Sequence, residues 1–482
     1  MGHTWNPEAR PVIDPTDLGS APFRRDHGVR YAYVAGSMYM ACSSEEMVLR
    51  MGRAGLLGYF GTGGLRDERV VSAIERFRRE LGDGPYGLNL LPRWESPQKE
   101  AQTVELFLRH GVRRVEASAF VRPSVSLVRY RVTGLRRGED GAVRVANRVM
   151  AKVSRPEVIE RFLSPPPDDL VAQLLDAGQI TAEEAELARR VPMADDLCAE
   201  ADSGGHTDQR PLVILLPDTI RRRDAAMRRY GYAEPVRVGA AGGLGVPESV
   251  AGAFLMGADF VLTGSINQCT AEAGVSDQVR DMLQRASVHD MMIVPAGDML
   301  EAGTRAQVLR RGLFYPARAN RLYELYRQYD SLEDLDERTA TELQTKYFRR
   351  SFDEVWEETR RYYERANPQA LQRAEVDPKQ KMALIFKAYF VQAKRLAIAG
   401  SPDHQVDYQI NSGPAIGALN GYLKGTPWED WRNRHADELA AMLMRKAATY
   451  LTDRFHQMTG GGQPADDGPP APVPTPLGVE VP

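Results

Sequence analysis

The chain is poor in cysteine, sparing with lysine over most of its length, and without a long apolar run. Its three cysteines, Cys42, Cys198 and Cys269, are scattered through 482 residues. That excludes a disulfide-stapled scaffold, and without a CxxC spacing no metal site is expected. No stretch approaches the roughly 18–20 consecutive apolar residues of a membrane-spanning helix. The opening MGHTWNPEARPVIDP has no apolar h-region, so no secretory signal is expected, and a reduced, cytoplasmic protein is the reading. A dominant charge sign is lacking too. Lys+Arg 62 against Asp+Glu 65 leave −3, which gives no reason to expect a nucleic acid or a membrane surface as partner.

What is present is a globular composition. With 43% hydrophobic and 26% charged residues, disorder of the whole chain is ruled out. From about residue 31 to 265 one pattern repeats: a short apolar or β-branched run, then an Arg/Glu-rich helical stretch. The runs are YAYVAGSM, LLGYF, YGLNLL, VRRVEAS, NRVMAKV, ADDLCAEA, PVRVGAA and DFVLTG. Eight strands alternating with helices predict an α/β fold with a parallel sheet, closed as a (β/α)8 TIM barrel; an open doubly wound sheet is the alternative. Residues 1–30 form an N-terminal segment and 31–304 the barrel. A helical insertion is expected at about 154–191, because SPPPDD, LVAQLLDAG and TAEEAELARR are too long for one crossover. Strand signals stop near Thr304, so 305–458 is read as a separate, all-helical C-terminal region. The Gly/Pro-rich tail 459–482 is expected to be disordered.

Chemistry concentrates at the predicted strand ends. The run GAAGGLG, residues 239–245, follows the seventh strand, and Thr263-Gly264-Ser265 ends the eighth. In a barrel these two turns hold phosphate, since glycine lets backbone N–H groups approach it. The plainer reading is that they only make tight turns. Ser203-Gly204-Gly205-His206-Thr207-Asp208 follows the sixth strand. There the imidazole can donate a hydrogen bond or a proton near neutrality; the plainer reading is a surface histidine. Lys152 ends the fifth strand, and before Lys346 the only other lysine is Lys99. An ammonium there can stabilise anionic charge, or simply snorkel out of the barrel mouth. Small residues Ala35, Gly36, Ser37 and Met38 end the first strand, where a planar ring can lie, and Asn89 in the third needs partners for its amide. Cys269, like Cys42 and Cys198, reads as a structural thiol.

Together these segments resemble a known family. VAGSM, LLGYFGTGGL, PYGLNLL, SGGHTD and VGAAGGLG with GADFVLTGS follow the order of the nitronate monooxygenase and flavin-dependent enoyl reductase barrels. ADDLCAEADSGGHTDQRP, LTGSINQCTAEAG, RRGLFYPARANRLYELY and GPAIGALNGYLKGTPWEDWRNRH resemble its PfaD-type branch, the trans-acting enoyl reductases of polyunsaturated fatty acid and polyketide synthases. The family's EAGGH stands here as DSGGH. The resemblance implies FMN at the barrel mouth and NADPH as hydride source. It places Ala35–Met38 and Asn89 along the flavin ring, Lys152 and Gly205 beside it, and Gly242, Gly243, Gly264 and Ser265 on the phosphate. His206 is the candidate acid, with Lys152 a second catalytic candidate. The implied activity is reduction of enoyl thioesters on an acyl carrier protein, with a homodimer as a further possibility. A nitronate-oxidising flavoenzyme and a non-catalytic scaffold subunit are the rivals. Carrier docking is assigned to a basic, aromatic face bearing Arg349, Arg350, Arg360 and Arg361 beside Phe348, Tyr362 and Tyr363, partly offset by Glu357, Glu358 and Glu364; the alternative is that this face packs on the barrel or on a second subunit.

Overall fold

A computed structural model describes residues 12–459; the expectations for residues 1–11 and for the tail from Gly460 lie outside the described residues. The eight runs form eight strands: β1 (Tyr33–Ala35), β2 (Leu57–Phe60), β3 (Tyr86–Leu90), β4 (Arg114–Ala117), β5 (Arg148–Val153), β6 (Asp196–Glu200), β7 (Arg237–Ala241) and β8 (Val261–Thr263). They pair in parallel in sequence order, and β8 closes on β1 through Tyr33–Val261 and Ala35–Thr263. The barrel reading therefore holds over the open sheet. Strand residues of both inner and outer faces are buried, as expected when helices cover a parallel sheet.

The bottom of the barrel is plugged by the helix Ala21–His27, started by Ser20, whose hydroxyl accepts from the Phe23 N–H. Phe23 stacks on Phe260 at 4.5 Å, and His27 reaches Asp196 at the foot of β6. After β5 the helix Pro156–Leu163 packs against β5 and the β6-following helix Leu212–Tyr230. It is the regular fifth crossover, so the extra helices are only Asp168–Asp176 and Ala182–Ala188, a shorter insertion than 154–191. A small hairpin, Arg136–Arg137 with Val143–Arg144, was not expected.

The larger correction concerns the end of the chain. The expected helical region is there, but one strand, Arg305–Leu309, stands at its start. Met291–Pro295 and Arg305–Leu309 form an antiparallel pair, and Arg305–Leu309 also pairs with the short strand Gly205–His206. Strand structure thus continues past Thr304. Helices Tyr315–Gln328, Phe352–Ala366, Pro368–Val376 and Pro378–Ala399 gather on this sheet around a second core that includes Tyr315, Phe348, Phe386, Tyr389 and Phe390. The last helix, Ala436–Met458, returns to the barrel. It packs against Pro247–Leu255, Glu45–Arg53 and β1, which is the place of the eighth barrel helix. The second core is therefore an insertion between strand eight and helix eight. The reason is apolar: Leu439, Leu443 and Met444 are fully buried, and their partners are the barrel's own helices.

Candidate active site at the C-terminal mouth of the barrel

Charge and amide chemistry meet where β1, β3, β4, β5 and β6 end. Glu116 of β4 is fully buried. It accepts from the Ser37 N–H at 3.0 Å, the Ser37 hydroxyl at 2.7 Å and the Ser118 hydroxyl at 3.1 Å. Asn89 donates its two amide hydrogens to the Glu116 carbonyl and the Ser118 hydroxyl, which leaves its side-chain oxygen as the atom able to accept. The Lys152 ammonium lies 2.5 Å from Glu200 and 3.8 Å from Glu116. Burial pulls its pKa down, but the two carboxylates outweigh burial and hold it above the ordinary value. Lys152 is a charged lysine, but it neither snorkels free nor offers an unpaired ammonium.

The phosphate-type turns lie side by side at the ends of β7 and β8. Gly242 and Gly243 have φ of +92° and +73°, conformations that only glycine adopts without strain. A Cβ on Gly242 would strike the backbone of Ala201 and Asp202 at 2.8 Å, so this glycine serves packing. A Cβ on Gly243 or Gly264 would meet nothing within 4 Å. Those two positions line open space. Across it runs a strap from the end of the chain. Gly413 donates to the Ser265 hydroxyl at 2.9 Å, Gln268 donates to the Asn411 carbonyl at 2.6 Å, and Ser412 presses against Gly204. Buried around the strap are three side-chain oxygens with no hydrogen-bond partner among the described residues: Ser203 Oγ, Gln307 Oε1 and Ser412 Oγ. Each orphan costs about 1–3 kcal/mol unless a polar ligand satisfies it.

His206 stands on the edge of the second sheet. Its backbone pairs with Ala306, and its Nε2 lies 3.0 Å from Asp298 Oδ1. Burial lowers its pKa, but the hydrogen bond and charge of Asp298 outweigh burial and raise it. Gly205, at φ +84°, turns the chain into this pairing beside Asn411. Asp202 accepts from Thr207 and Gln307, tying the same loop to the second sheet. Cys269 is fully buried and accepts from Arg434 at 3.4 Å; burial pushes its thiol up to about 11, which suits a structural residue.

Sequence reasoning missed Glu116, Glu200, Asp298 and the strap Asn411–Gly413. Glu116 carries the signal used for Lys152, a charge inside an apolar strand. Asp298 and the strap carry none, because chain folding alone brings them to the mouth. The arginines of the expected docking face lie beside acidic groups. Arg350 pairs with Glu358, Arg360 with Glu357, and Arg349 lies 3.7 Å from Asp407, while Phe348 is in the second core.

A closed (β/α)8 barrel with open glycine turns after strands seven and eight and a histidine loop after strand six is an oxidoreductase-type barrel of the nitronate monooxygenase and enoyl reductase kind. The nitronate monooxygenase family model matches residues 23–320. The inserted helical domain of [acyl-carrier-protein] S-malonyltransferase matches residues 329–408, inside the second core. The chain belongs to the nitronate monooxygenase family, in its PfaD-type enoyl reductase branch. It is 42% identical to the crystal structure of the enoyl reductase domain of MlnA from the macrolactin biosynthesis cluster of Bacillus amyloliquefaciens, covering 92% of this chain and 99% of that one, with a TM-score of 0.89. It is 49% identical over 447 residues to the polyketide biosynthesis protein PksE of Bacillus subtilis, and 45% identical over 414 residues to a polyunsaturated fatty acid synthase polypeptide of a Thraustochytrium species. Those matches cover 92% and 85% of this chain but only 58% and 28% of the two relatives.

Proposed function

We propose that the protein is an FMN-dependent enoyl reductase, with NADPH as hydride source. Its substrates are the α,β-double bonds of enoyl thioesters held on an acyl carrier protein, in polyketide or polyunsaturated fatty acid assembly. The observation that carries this reading is the end-to-end likeness to the MlnA enoyl reductase domain. The residues at the mouth fit FMN. Gly243 and Gly264 border a space that a Cβ would enter without touching protein, and Ser203, Gln307 and Ser412 leave buried oxygens unmatched beside it. In this reading Gly242, Gly243, Gly264 and Ser265 hold the phosphate. Ala35–Met38, Asn89 and Gly205 border the ring, Asn89 through its remaining acceptor. Bound there, FMN supplies hydride chemistry between NADPH and substrate.

The chain's own residues do the rest. Lys152, held by Glu116 and Glu200, positions the β1 turn through Glu116 and Ser37 and is not a free electrophile. His206 has Nε2 engaged by Asp298, which leaves Nδ1 for the substrate, and Asp298 favours the protonated imidazole that can donate to the α-carbon or the thioester oxygen. The strap and the second sheet wall one side of the loop, through Ser412 against Gly204 and the pairing of His206 with Ala306.

The test is anaerobic. The flavin-loaded protein is reduced with NADPH and mixed with crotonyl-carrier protein, and in a separate run the oxidised protein is mixed with a nitronate. Rapid re-oxidation by the enoyl thioester alone is expected. Reduction of the oxidised flavin by the nitronate, with no re-oxidation of reduced flavin by the enoyl thioester, would move the protein to the oxidase reading, and a colourless protein that binds no flavin would make it a scaffold. Localisation in the cytoplasm remains part of the proposal; among the described residues no helix is long and apolar enough to cross a membrane.

A further inference from the structure

We propose that Lys394 is a further site residue: an ammonium that the second core delivers to the barrel mouth, where it holds the substrate oxygen that becomes negative during reduction. The inference rests on the enoyl reductase reading and adds to it a residue from outside the barrel.

Lys394 lies on the long helix Pro378–Ala399, whose Phe386, Tyr389, Phe390 and Ala393 are buried in the second core. Lys394 itself is only half-buried and leaves that core for the mouth. Its Nζ sits 4.1 Å from the centroid of the Tyr39 ring, and Tyr39 immediately follows the Ala35–Met38 turn. Its charge is felt at His206 and Asp298 on the other side, and at Cys42. The ammonium thus stands between the β1 turn and the histidine loop. Among the described residues no carboxylate lies within 4 Å of it. Lys387, seven residues earlier on the same helix face, is matched by Glu301 at 2.7 Å. Burial lowers the pKa of Lys394, and only the more distant Cys42 and Asp298 oppose this. A half-buried cation with a ring below it and no counter-ion is a place an anion would complete.

Reduction makes such an anion. Hydride added to the β-carbon pushes the π-electron pair of the double bond toward the thioester oxygen, giving an enolate. A proton delivered to the α-carbon then returns the pair and restores the carbonyl. The negative charge on oxygen exists only between these steps, so a cation placed there favours the transition state over the bound substrate. Lys152 is already matched by two carboxylates and does not serve; Lys394 is unmatched.

The experiment compares flavin-loaded wild type with Lys394→Met, Lys394→Gln and Lys394→Arg, each checked by thermal unfolding. Calorimetry measures binding of two free thioesters: acetoacetyl-N-acetylcysteamine, at a pH where its enolate is present, and neutral butyryl-N-acetylcysteamine. Re-oxidation of the reduced enzyme by crotonyl-N-acetylcysteamine is followed in single turnover. Loss of the ammonium is expected to weaken enolate binding at least tenfold, leave the butyryl ester within about twofold, and slow re-oxidation at least tenfold, with partial rescue by arginine. An equal loss on both thioesters, unchanged enolate affinity in the methionine and glutamine variants, or no preference for the enolate in wild type overturns the proposal. Should wild type bind the enolate through Lys394 yet not be re-oxidised by the crotonyl ester, the enoyl reductase reading fails while the anion site stands.

Discussion

At the scale of single residues, the turns after β7 and β8 divide by what a methyl group would meet. Gly243 combines open space with a positive φ, so a substitution there mixes backbone strain with loss of the cradle. Gly264 has open space and a negative φ, and so separates the two. Gly264→Ala is expected to leave the unfolding free energy within about 0.5 kcal/mol and to lower flavin affinity at least tenfold, read by fluorescence titration of the apoprotein. Full retention would remove this turn from the phosphate site. His206→Ala is expected to keep flavin and slow re-oxidation by enoyl substrate about a hundredfold. Asp298 raises the His206 pKa, so Asp298→Asn removes the raising influence and leaves burial to lower it. The imidazolium then loses its proton at lower pH, and the alkaline limb of kcat/KM moves acidward in the pH profile. The SGGH motif made His206 legible in the sequence; Asp298, distant in sequence, was not.

At the scale of elements, the histidine loop is held less by the barrel than by what crosses it. Gly205–His206 is the third strand of a sheet whose other two strands follow β8, and Ser412–Gly413 lies over Gly204. A Cβ on Gly204 would meet Ser412 Cα at 2.6 Å and its carbonyl carbon at 2.7 Å, both main-chain atoms that must move. Gly204→Ala is therefore expected to destabilise by about 1–3 kcal/mol through overpacking. It should also shift the strap from Ser265, lowering flavin retention together with kcat; denaturant titration and bound-flavin absorbance check the two effects. The strand Arg305–Leu309 went unread because AQVL is short and lies next to a helical signal, and its partner at His206 is about a hundred residues away. The eight barrel strands were legible because each is a buried apolar run closed by a turn. Asn411 and Ser412 of the strap went unread, and Gly413 only opens a stretch of resemblance, with nothing to say that it covers the mouth.

At the scale of the whole molecule, the barrel foot is pinned by buried charge. Asp196 contacts His27 at 2.8 Å and Arg237 at 2.6 Å, and Arg237 continues to Asp26. Burial alone would raise the Asp196 carboxyl, but the Arg237 guanidinium and His27 outweigh it and hold it well below the ordinary carboxylate range. Burial also lowers His27 despite the opposing pull of Asp196. Both groups bind fewer protons folded than unfolded, so both favour the fold at neutral pH. Stability is expected to decline as pH falls below about 6.5, where unfolded histidine takes up its proton, and again below about 4, where unfolded aspartate does. Urea midpoints measured from pH 8 to pH 3.5 check this; a flat profile would mean that the network titrates alike in both states. Asp196→Asn leaves Arg237 buried beside a neutral amide and is expected to cost roughly 3–5 kcal/mol. Removing residues from Ala436 onward strips the eighth barrel helix. Burial of Leu439, Leu443 and Met444 alone stabilises by roughly 5–9 kcal/mol, so the shortened chain is expected to be insoluble, as sedimentation of the expressed protein would show.

Local pattern determined the barrel, its strand ends, the glycine turns and the histidine loop, because alternation of apolar runs with amphipathic helices and small-residue stops is written in neighbouring residues. What closes over that barrel was decided only in three dimensions. The partners of Lys152, the aspartate on His206, the ammonium of Lys394 and the strap across Ser265 come from segments far apart in the chain. Pairing of neighbouring barrel strands brings Glu116 and Glu200 to Lys152, whereas the other three meetings depend on an insertion placed between the last strand and the last helix of the barrel. A helix reads as helix wherever it packs; that Ala436–Met458 belongs to the barrel and Pro378–Ala399 to the second core follows from which apolar faces find each other on folding, and no local signal carries that.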